Sequence, residues 1–151
     1  MSGGTAAAAT LALAAGLAGS IQVAVMGRFG ERIGSIEALA FSLVLSGLIA
    51  TALLLALRQS LGGFVDAARS PWWLWMGGVM GALVVFAITV CAPRIGATAT
   101  IGILIAGQLA MGGVIDRFGL FGVDRVALSW PRALGIVLLA AGAGLSLFSA
   151  R

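Results

Sequence analysis

Few side chains in this sequence combine chemical reactivity with an unusual position. Most of the chain is apolar, and the polar or aromatic groups that stand out within or beside the apolar stretches are Gln22, Glu37, Trp75, Gln108 and Asp116. An amide can hydrogen-bond a solute, a carboxylate can exchange a proton or hold a cation, and an indole ring can face a cation. Because polar groups are costly in an apolar environment, these five are the candidate binding or coupling residues.

Each of these side chains also has a structural interpretation. Gln22 and Gln108 could join neighbouring helices through hydrogen bonds, each worth about 0.6 kcal/mol in a membrane. Glu37 lies near the start of a predicted helix, where the helix dipole favours a carboxylate. The sequence favours this end-capping role for Glu37, a turn-forming role for Asp116 and an interfacial role for Trp75. It leaves solute binding open for the two glutamines.

Several classes of function are excluded by residue types that the sequence lacks. It contains no histidine, tyrosine or lysine, and its single cysteine, Cys91, has no base nearby in the sequence. Metal-ligand spacing is absent, and the glycines at 112–113 lack the lysine of a phosphate-binding loop. The arginines are scattered singly and form no basic stripe. We therefore expect no enzyme activity, no cofactor, no metal site and no nucleic-acid partner.

The composition requires lipid as the solvent for most of the surface. Hydrophobic residues make up 61% of the chain and charged residues 9%, whereas an ordinary soluble chain carries roughly 25% charged residues. A helix needs about 20 apolar residues to cross a bilayer. The charge-free blocks predict an all-α integral membrane protein, a single domain over residues 1–151, with five transmembrane helices at roughly 5–26, 35–57, 72–92, 95–115 and 132–149.

The predicted connections between these helices are short. The first is expected to be a loop over residues 27–34. Pro93 is expected to end the third helix, because proline removes a helical hydrogen bond, and Gly96 then permits a tight turn. The longer connections, 58–71 and 116–131, are not long enough to fold alone.

Small residues recur at four-residue spacing along the predicted helices. In lipid, helices associate through close backbone approach, which small side chains permit. The pattern is clearest at Gly77, Gly78 and Gly81, which are therefore the candidate helix-packing residues. An alanine- and glycine-rich chain also produces such pairs by chance, and both interpretations stay open elsewhere.

The arginines give almost no signal for the orientation of the chain. Five spans place the termini on opposite sides of the membrane, and orientation follows the excess of lysine and arginine in cytoplasmic loops. The arginines on the N-terminal side are Arg58, Arg69, Arg117, Arg125 and Arg132, and those on the other side are Arg28, Arg32, Arg94 and Arg151. Such balance suits a chain that inserts both ways and pairs antiparallel, or one held by a partner or by its first helix.

The four tryptophans lie on one predicted side of the membrane. Trp72, Trp73 and Trp75 open the third helix, and Trp130 precedes the fifth. Interfacial tryptophans normally decorate both membrane surfaces, which an antiparallel pair would restore. An inverted copy would also bring its Gln22 to about the depth of Gln108.

The sequence resembles the half-size, five-helix YdcZ-like family of the drug/metabolite transporter superfamily over nearly its whole length. The residues that carry the resemblance are PWWLWMGG at 71–78 with Gly81, PRIGA at 93–97, Gly107-Gln108, IDRFGLFG at 115–122, Ser129-Trp130 and Gly135, with Gly19 and Gln22 in the first helix. Met26 stands where the family pattern leads us to expect asparagine.

The resemblance implies a multi-pass protein of the bacterial inner membrane that forms a ten-helix bundle from two halves of opposite orientation. The second half would be an inverted copy of this chain or a homologous chain. The implied function is secondary transport of a small organic solute, most simply export, by alternating access between the halves. The alternatives are a non-transporting membrane subunit or scaffold that packs with a larger complex, and a passive pore, which the sparse polarity disfavours.

Overall fold

Long runs of alanine, leucine, isoleucine and valine form the helices of this protein, because a backbone surrounded by lipid must satisfy its hydrogen bonds internally. The computed structural model describes residues 3–126 and 129–149. The α-helices in these residues are α1 (Gly3–Ile33), α2 (Ser35–Arg58), α3 (Gly62–Arg69), α4 (Met76–Ile95), α5 (Ala97–Phe118) and α6 (Trp130–Ser149).

The helices identify an integral membrane protein. Among the described residues, four helical segments are long and apolar enough to cross a bilayer: Gly4–Ile33, Ser35–Arg58, Trp72–Ile95 and Ala97–Phe118. The last helix contributes a shorter apolar segment, Ala133–Phe148. All five predicted helices are present, and the chain is all-α where it is described.

The predicted loop over residues 27–34 is wrong, because α1 continues through it to Ile33. This part of the helix carries an exposed ion pair between Arg28 and Glu31, whose charged atoms are 3.1 Å apart across one helical turn. Gly34 alone separates α1 from α2. Its φ of 103° is open to glycine and strained for other residues.

The expected helix end at Pro93 is also wrong. Pro93 lies inside α4, which ends at Ile95. In the last turn the proline removes a single backbone hydrogen bond, and its fixed φ is compatible with the helix. The break falls at Gly96, with a φ of 83°, and α5 begins at the next residue.

The junctions at Gly34 and Gly96 share the tripeptide Arg-Ile-Gly, at residues 32–34 and 94–96. Several positions at the same distance from each glycine are buried in both segments. The pairs, each separated by the same offset along the chain, are Met26 and Ile88, Gly27 and Thr89, Gly30 and Ala92, and Ala38 and Thr100. The chain therefore repeats one local design, in α1–α2 and again in α4–α5.

The connections after α2 and after α5 contain short helical elements that the sequence did not predict. Residues 58–71 hold α3, followed by a 3-10 turn at Trp72–Trp75. Residues 116–131 include the end of α5 and a 3-10 turn at Leu120–Gly122. The turn at Trp72–Trp75 leads directly into α4.

The chain divides into two compact units. In the unit formed by residues 26–90, Gly30 lies directly against Thr89, and the rings of Phe29 and Phe41 pack edge to face with centroids 5.6 Å apart. In the other unit, formed by the residues before Met26 and after Val90, α5 packs along α6, with Gly102 against Ala143.

Candidate functional site

A cavity of about 280 Å³ lies between α5 and α6. Among the described residues, its lining comes from these two helices. The lining residues are Gln108, Leu109, Gly112, Gly113, Asp116, Gly135, Ile136 and Leu139. Two of the five candidate binding residues predicted from the sequence, Gln108 and Asp116, therefore meet in one cavity.

Small residues both bring α5 and α6 together and leave the cavity between them. Near one end of the pair, a Cβ atom added to Gly102 would lie 3.0 Å from the Ala143 Cβ, so the helices touch closely there. At Gly112 and Gly135 an added Cβ would meet no other atom within 4 Å. The missing side chains at these positions supply the open space.

The polar groups of the cavity lie on α5. Gln108 and Asp116 are eight residues apart, or about 12 Å along the helix, and both line the cavity. The facing wall from α6 is apolar at Ile136 and Leu139. An apolar cavity with a few polar groups is the usual form of a small-molecule site.

Asp116 lies in the last turn of α5, and its backbone helps to end that helix. The Val126 N–H donates to the Asp116 carbonyl oxygen at 2.9 Å, and the Gly119 N–H donates to Ile115 at 2.8 Å. Gly119 has a φ of 65°, and the Arg125 side chain packs over it. Asp116 thus has both a place in the turn, through its carbonyl group, and a place in the cavity wall.

The other three candidate residues lie outside this cavity. Gln22 is exposed on α1. Trp75 is exposed in the 3-10 turn before α4, and its indole N–H donates to the Ala67 carbonyl oxygen at 3.0 Å. The Glu37 carboxylate, in the first turn of α2, folds back against the Cα of Gly34. A carboxylate at that end of a helix is favoured by the helix dipole.

In the described part of the chain, open space lies beside the candidate packing glycines. A Cβ atom added at Gly77, Gly78 or Gly81 would meet no other atom within 4 Å. The predicted packing role of these glycines therefore stays a prediction.

Sequence reasoning missed the cavity glycines. Gly112 lies four residues after Gln108 and four before Asp116, so the three follow one side of α5, and this spacing is visible in the sequence. Gly135 was singled out only as a residue of the family resemblance, and its place in the cavity follows from the packing of α6 against α5. In the described part of the chain, no three His, Cys, Asp or Glu residues are grouped to hold a metal ion.

The chain is similar to known proteins of the inner membrane. The model of the family described as "Putative inner membrane exporter, YdcZ" matches residues 7–145. Inner membrane protein YdcZ of Escherichia coli (strain K12) is 32% identical over 134 residues, which cover 88% of this chain and 89% of that protein. No solved structure matches the chain significantly.

Proposed function

Because this chain belongs to the YdcZ family of inner membrane proteins, we propose that it is one half of a secondary transporter that exports a small organic solute. The chain is a multi-pass protein of the inner membrane. The observation that carries the proposal beyond family membership is the α5–α6 cavity, where Gln108 and Asp116 adjoin an apolar wall.

The size and lining of the cavity suit a small, mainly apolar solute. Its volume of about 280 Å³ is roughly twice that of an engineered protein cavity that binds benzene. In our proposal the Gln108 amide and the Asp116 carboxylate hold the polar part of the solute, and the apolar part lies along Ile136 and Leu139. Gly112 and Gly135 keep the space open.

The proposed assembly is an antiparallel pair of chains, with a homologous chain of opposite orientation as the alternative second half. In this assembly α6 is the fifth span, since its 20 residues reach about 30 Å. The open faces of Gly77, Gly78 and Gly81 are available for contact with the second half. Alternating access then arises from exchange between two inverted halves.

The placement of the arginines supports insertion in both directions. The last turns of α1, α2, α4 and α5 each contain an arginine: Arg32, Arg58, Arg94 and Arg117. An arginine there is favoured by the negative end of the helix dipole. Since consecutive spans point in opposite directions, this rule places equal numbers of these arginines on the two sides and removes the bias that would fix one orientation.

Glu37 is assigned a structural role, because its carboxylate folds over Gly34 at the start of α2. Replacing Glu37 by glutamine should leave any proton coupling of transport unchanged in liposomes. If coupling were lost, Glu37 would be the proton carrier. Gln22 is assigned to the interface with the inverted half, where it would reach about the depth of Gln108.

Binding and transport can be tested on the cavity itself. Solutes that raise the melting temperature of the purified protein would be selected from a library and then measured for flux in proteoliposomes. Gly112→Leu should fill the cavity and abolish both effects, whereas Gly107→Leu, on the same helix but outside the cavity lining, should retain them. If both variants lost solute binding and flux to the same extent, or if neither lost them, the cavity would not be the binding site.

The polar residues give a second pair of variants. Gln108→Leu and Asp116→Asn should weaken solute binding while the protein still inserts. A reconstituted chain that binds and moves no solute would favour the alternative function, a membrane subunit that packs with a larger complex.

Orientation is tested by reporter fusions at the C-terminus. The proposed inverted pair predicts that both the cytoplasmic and the periplasmic reporter are active. A single orientation would eliminate the pair of identical chains and would mean either a separate homologous partner of opposite orientation or no inverted pair.

A further inference from the structure

The segment between α2 and α4 exposes apolar side chains outside the cores of the long spans. Phe64 and Val65 of α3 are 55% and 52% exposed, and Trp72 in the following turn is 73% exposed. Every residue from Arg58 to Arg69 is exposed in the chain. The spans on either side, Ser35–Arg58 and Trp72–Ile95, place this segment at a membrane surface.

The two sides of α3 differ in polarity. Phe64, Ala67 and Ala68 recur at the three- and four-residue spacing of one helical face. Asp66 and Arg69 are also three residues apart and lie on the opposite face. An amphipathic helix of this kind binds with its apolar face at the boundary between headgroups and acyl chains.

The segment is held in a defined shape although it packs against little of the chain. The Ser60 hydroxyl oxygen accepts a hydrogen bond from the Gly62 N–H, and the Ser70 hydroxyl donates to the Asp66 carbonyl oxygen. The Trp75 indole N–H donates to the Ala67 carbonyl oxygen, which ties α3 to the start of α4. Since helices shorter than about 12 residues are marginal in water, eight exposed residues need stabilisation from outside the chain.

We propose that α3 and the tryptophan-rich turn lie flat in the lipid–water interface and bind phospholipid. The Phe64 face enters the acyl boundary, and Trp72 sits at headgroup depth beside it. Arg58 and Arg69, in the last turns of α2 and α3, bind the phosphate groups of anionic lipid. Lipid binding by α3 and this turn does not depend on whether the chain transports a solute.

The depth of α3 can be measured with nitroxide labels on the full chain in liposomes. In a Cys91→Ser background, Phe64→Cys, Ala68→Cys, Asp66→Cys and Arg69→Cys are labelled one at a time. The labels at 64 and 68 should be several-fold more accessible to oxygen, relative to a water-soluble nickel chelate, than those at 66 and 69. Equal access to the nickel chelate at all four sites would overturn the proposal, as would exclusion of both reagents at 64 and 68, which would indicate a protein partner.

The preference for anionic lipid gives an independent measurement. Spin-labelled phosphatidylglycerol should associate with the protein more strongly than spin-labelled phosphatidylcholine. Each of Arg58→Gln and Arg69→Gln should reduce that preference by about fivefold, from roughly 1 kcal/mol per arginine near an anionic surface. Arg28→Gln, which removes an arginine from an ion pair in α1, is the matched control and should leave it unchanged. A preference that survives the loss of both Arg58 and Arg69 would contradict the headgroup assignment.

Discussion

The junction at Gly34 and the junction at Gly96 have the same backbone design. Their φ and ψ angles are 103° and 145° at Gly34 and 83° and 155° at Gly96. Each glycine donates its N–H to the carbonyl oxygen four residues earlier, at 3.0 Å, and accepts from the N–H four residues later. The helical hydrogen-bond spacing thus continues through both glycines although the helix itself is interrupted.

The side chains that support the two junctions are different. At the first, Gly30 lies against Thr89 and the Glu37 carboxylate covers Gly34. At the second, nothing lies within 4 Å of a Cβ added to Gly96, and the buried Thr100 hydroxyl donates to the Gly96 carbonyl oxygen at 2.8 Å. One backbone conformation is thus held by close packing at the first junction and by a side-chain hydrogen bond at the second.

The largest effect is expected where packing is tightest. A Cβ at Gly30 would lie 2.5 Å from the Thr89 Cγ2 and 3.4 Å from its carbonyl oxygen, so Gly30→Leu must displace α4. Overpacking of this kind should cost about 3 kcal/mol, measured as a fall in melting temperature in detergent. Gly19→Leu, which enters open space on the same helix, is the control. If the two variants had the same melting temperature, the Gly30–Thr89 contact would have no role in stability.

A smaller effect is expected at the junction glycines themselves. An alanine at either positive φ should cost about 1–2 kcal/mol, and Gly34→Ala should cost more than Gly96→Ala because its methyl group displaces the Glu37 carboxylate. In the Glu37→Ala background, the cost of Gly34→Ala should fall to that of Gly96→Ala. An unchanged difference in melting temperature would show that Glu37 does not distinguish the junctions.

The hydrogen bond of Thr100 at the second junction should contribute less to stability than the glycine conformation does. Thr100→Val keeps the shape of the side chain and removes the hydroxyl, with an expected loss of about 1 kcal/mol. Thr100→Ser keeps the hydroxyl and is the matched control for the hydrogen bond. Thermal unfolding should place the serine variant closer to the wild type, and the reverse order would rule out the Thr100 hydroxyl as the support of Gly96.

The smallest effect on stability is expected when the charge of Glu37 at the first junction is removed. Glu37→Gln removes a carboxylate from the start of α2 and should cost about 0.5 kcal/mol through its interaction with the helix dipole. The effect on melting temperature should shrink at high salt, because the site is exposed. A loss that is independent of salt would indicate a packing role for Glu37 instead.

The sequence predicted the long helices well and their junctions poorly. Apolar blocks of about 20 residues give a strong signal because lipid leaves the backbone no other way to satisfy its hydrogen bonds. At residues 27–34 and at Pro93, charged residues, glycine and proline suggested breaks, yet one residue at each junction makes the break. The repeated Arg-Ile-Gly tripeptide was visible in the sequence and is the signal that locates both junctions.

The candidate site was predicted only in part, because the residues of a site come together by helix pairing. Gln108 and Asp116 were found as polar groups in apolar surroundings, and both line the cavity. Glu37 and Trp75 were found by the same rule, but one folds over Gly34 and the other bonds to Ala67. Polarity identifies residues that need a partner, and it does not say which partner each one meets.

Hydrophobicity along the chain is sufficient to predict a membrane protein and the approximate positions of its long helices. The sequence also carried the family strings at 71–78, 93–97 and 115–122. The fold was needed to show that α5 pairs with α6 around a cavity opened by Gly112 and Gly135, and that residues 62–69 form a helix. The cavity residues are distant in the sequence and come together only when the helices pack. A segment of eight residues is too short for its periodicity alone to predict a helix.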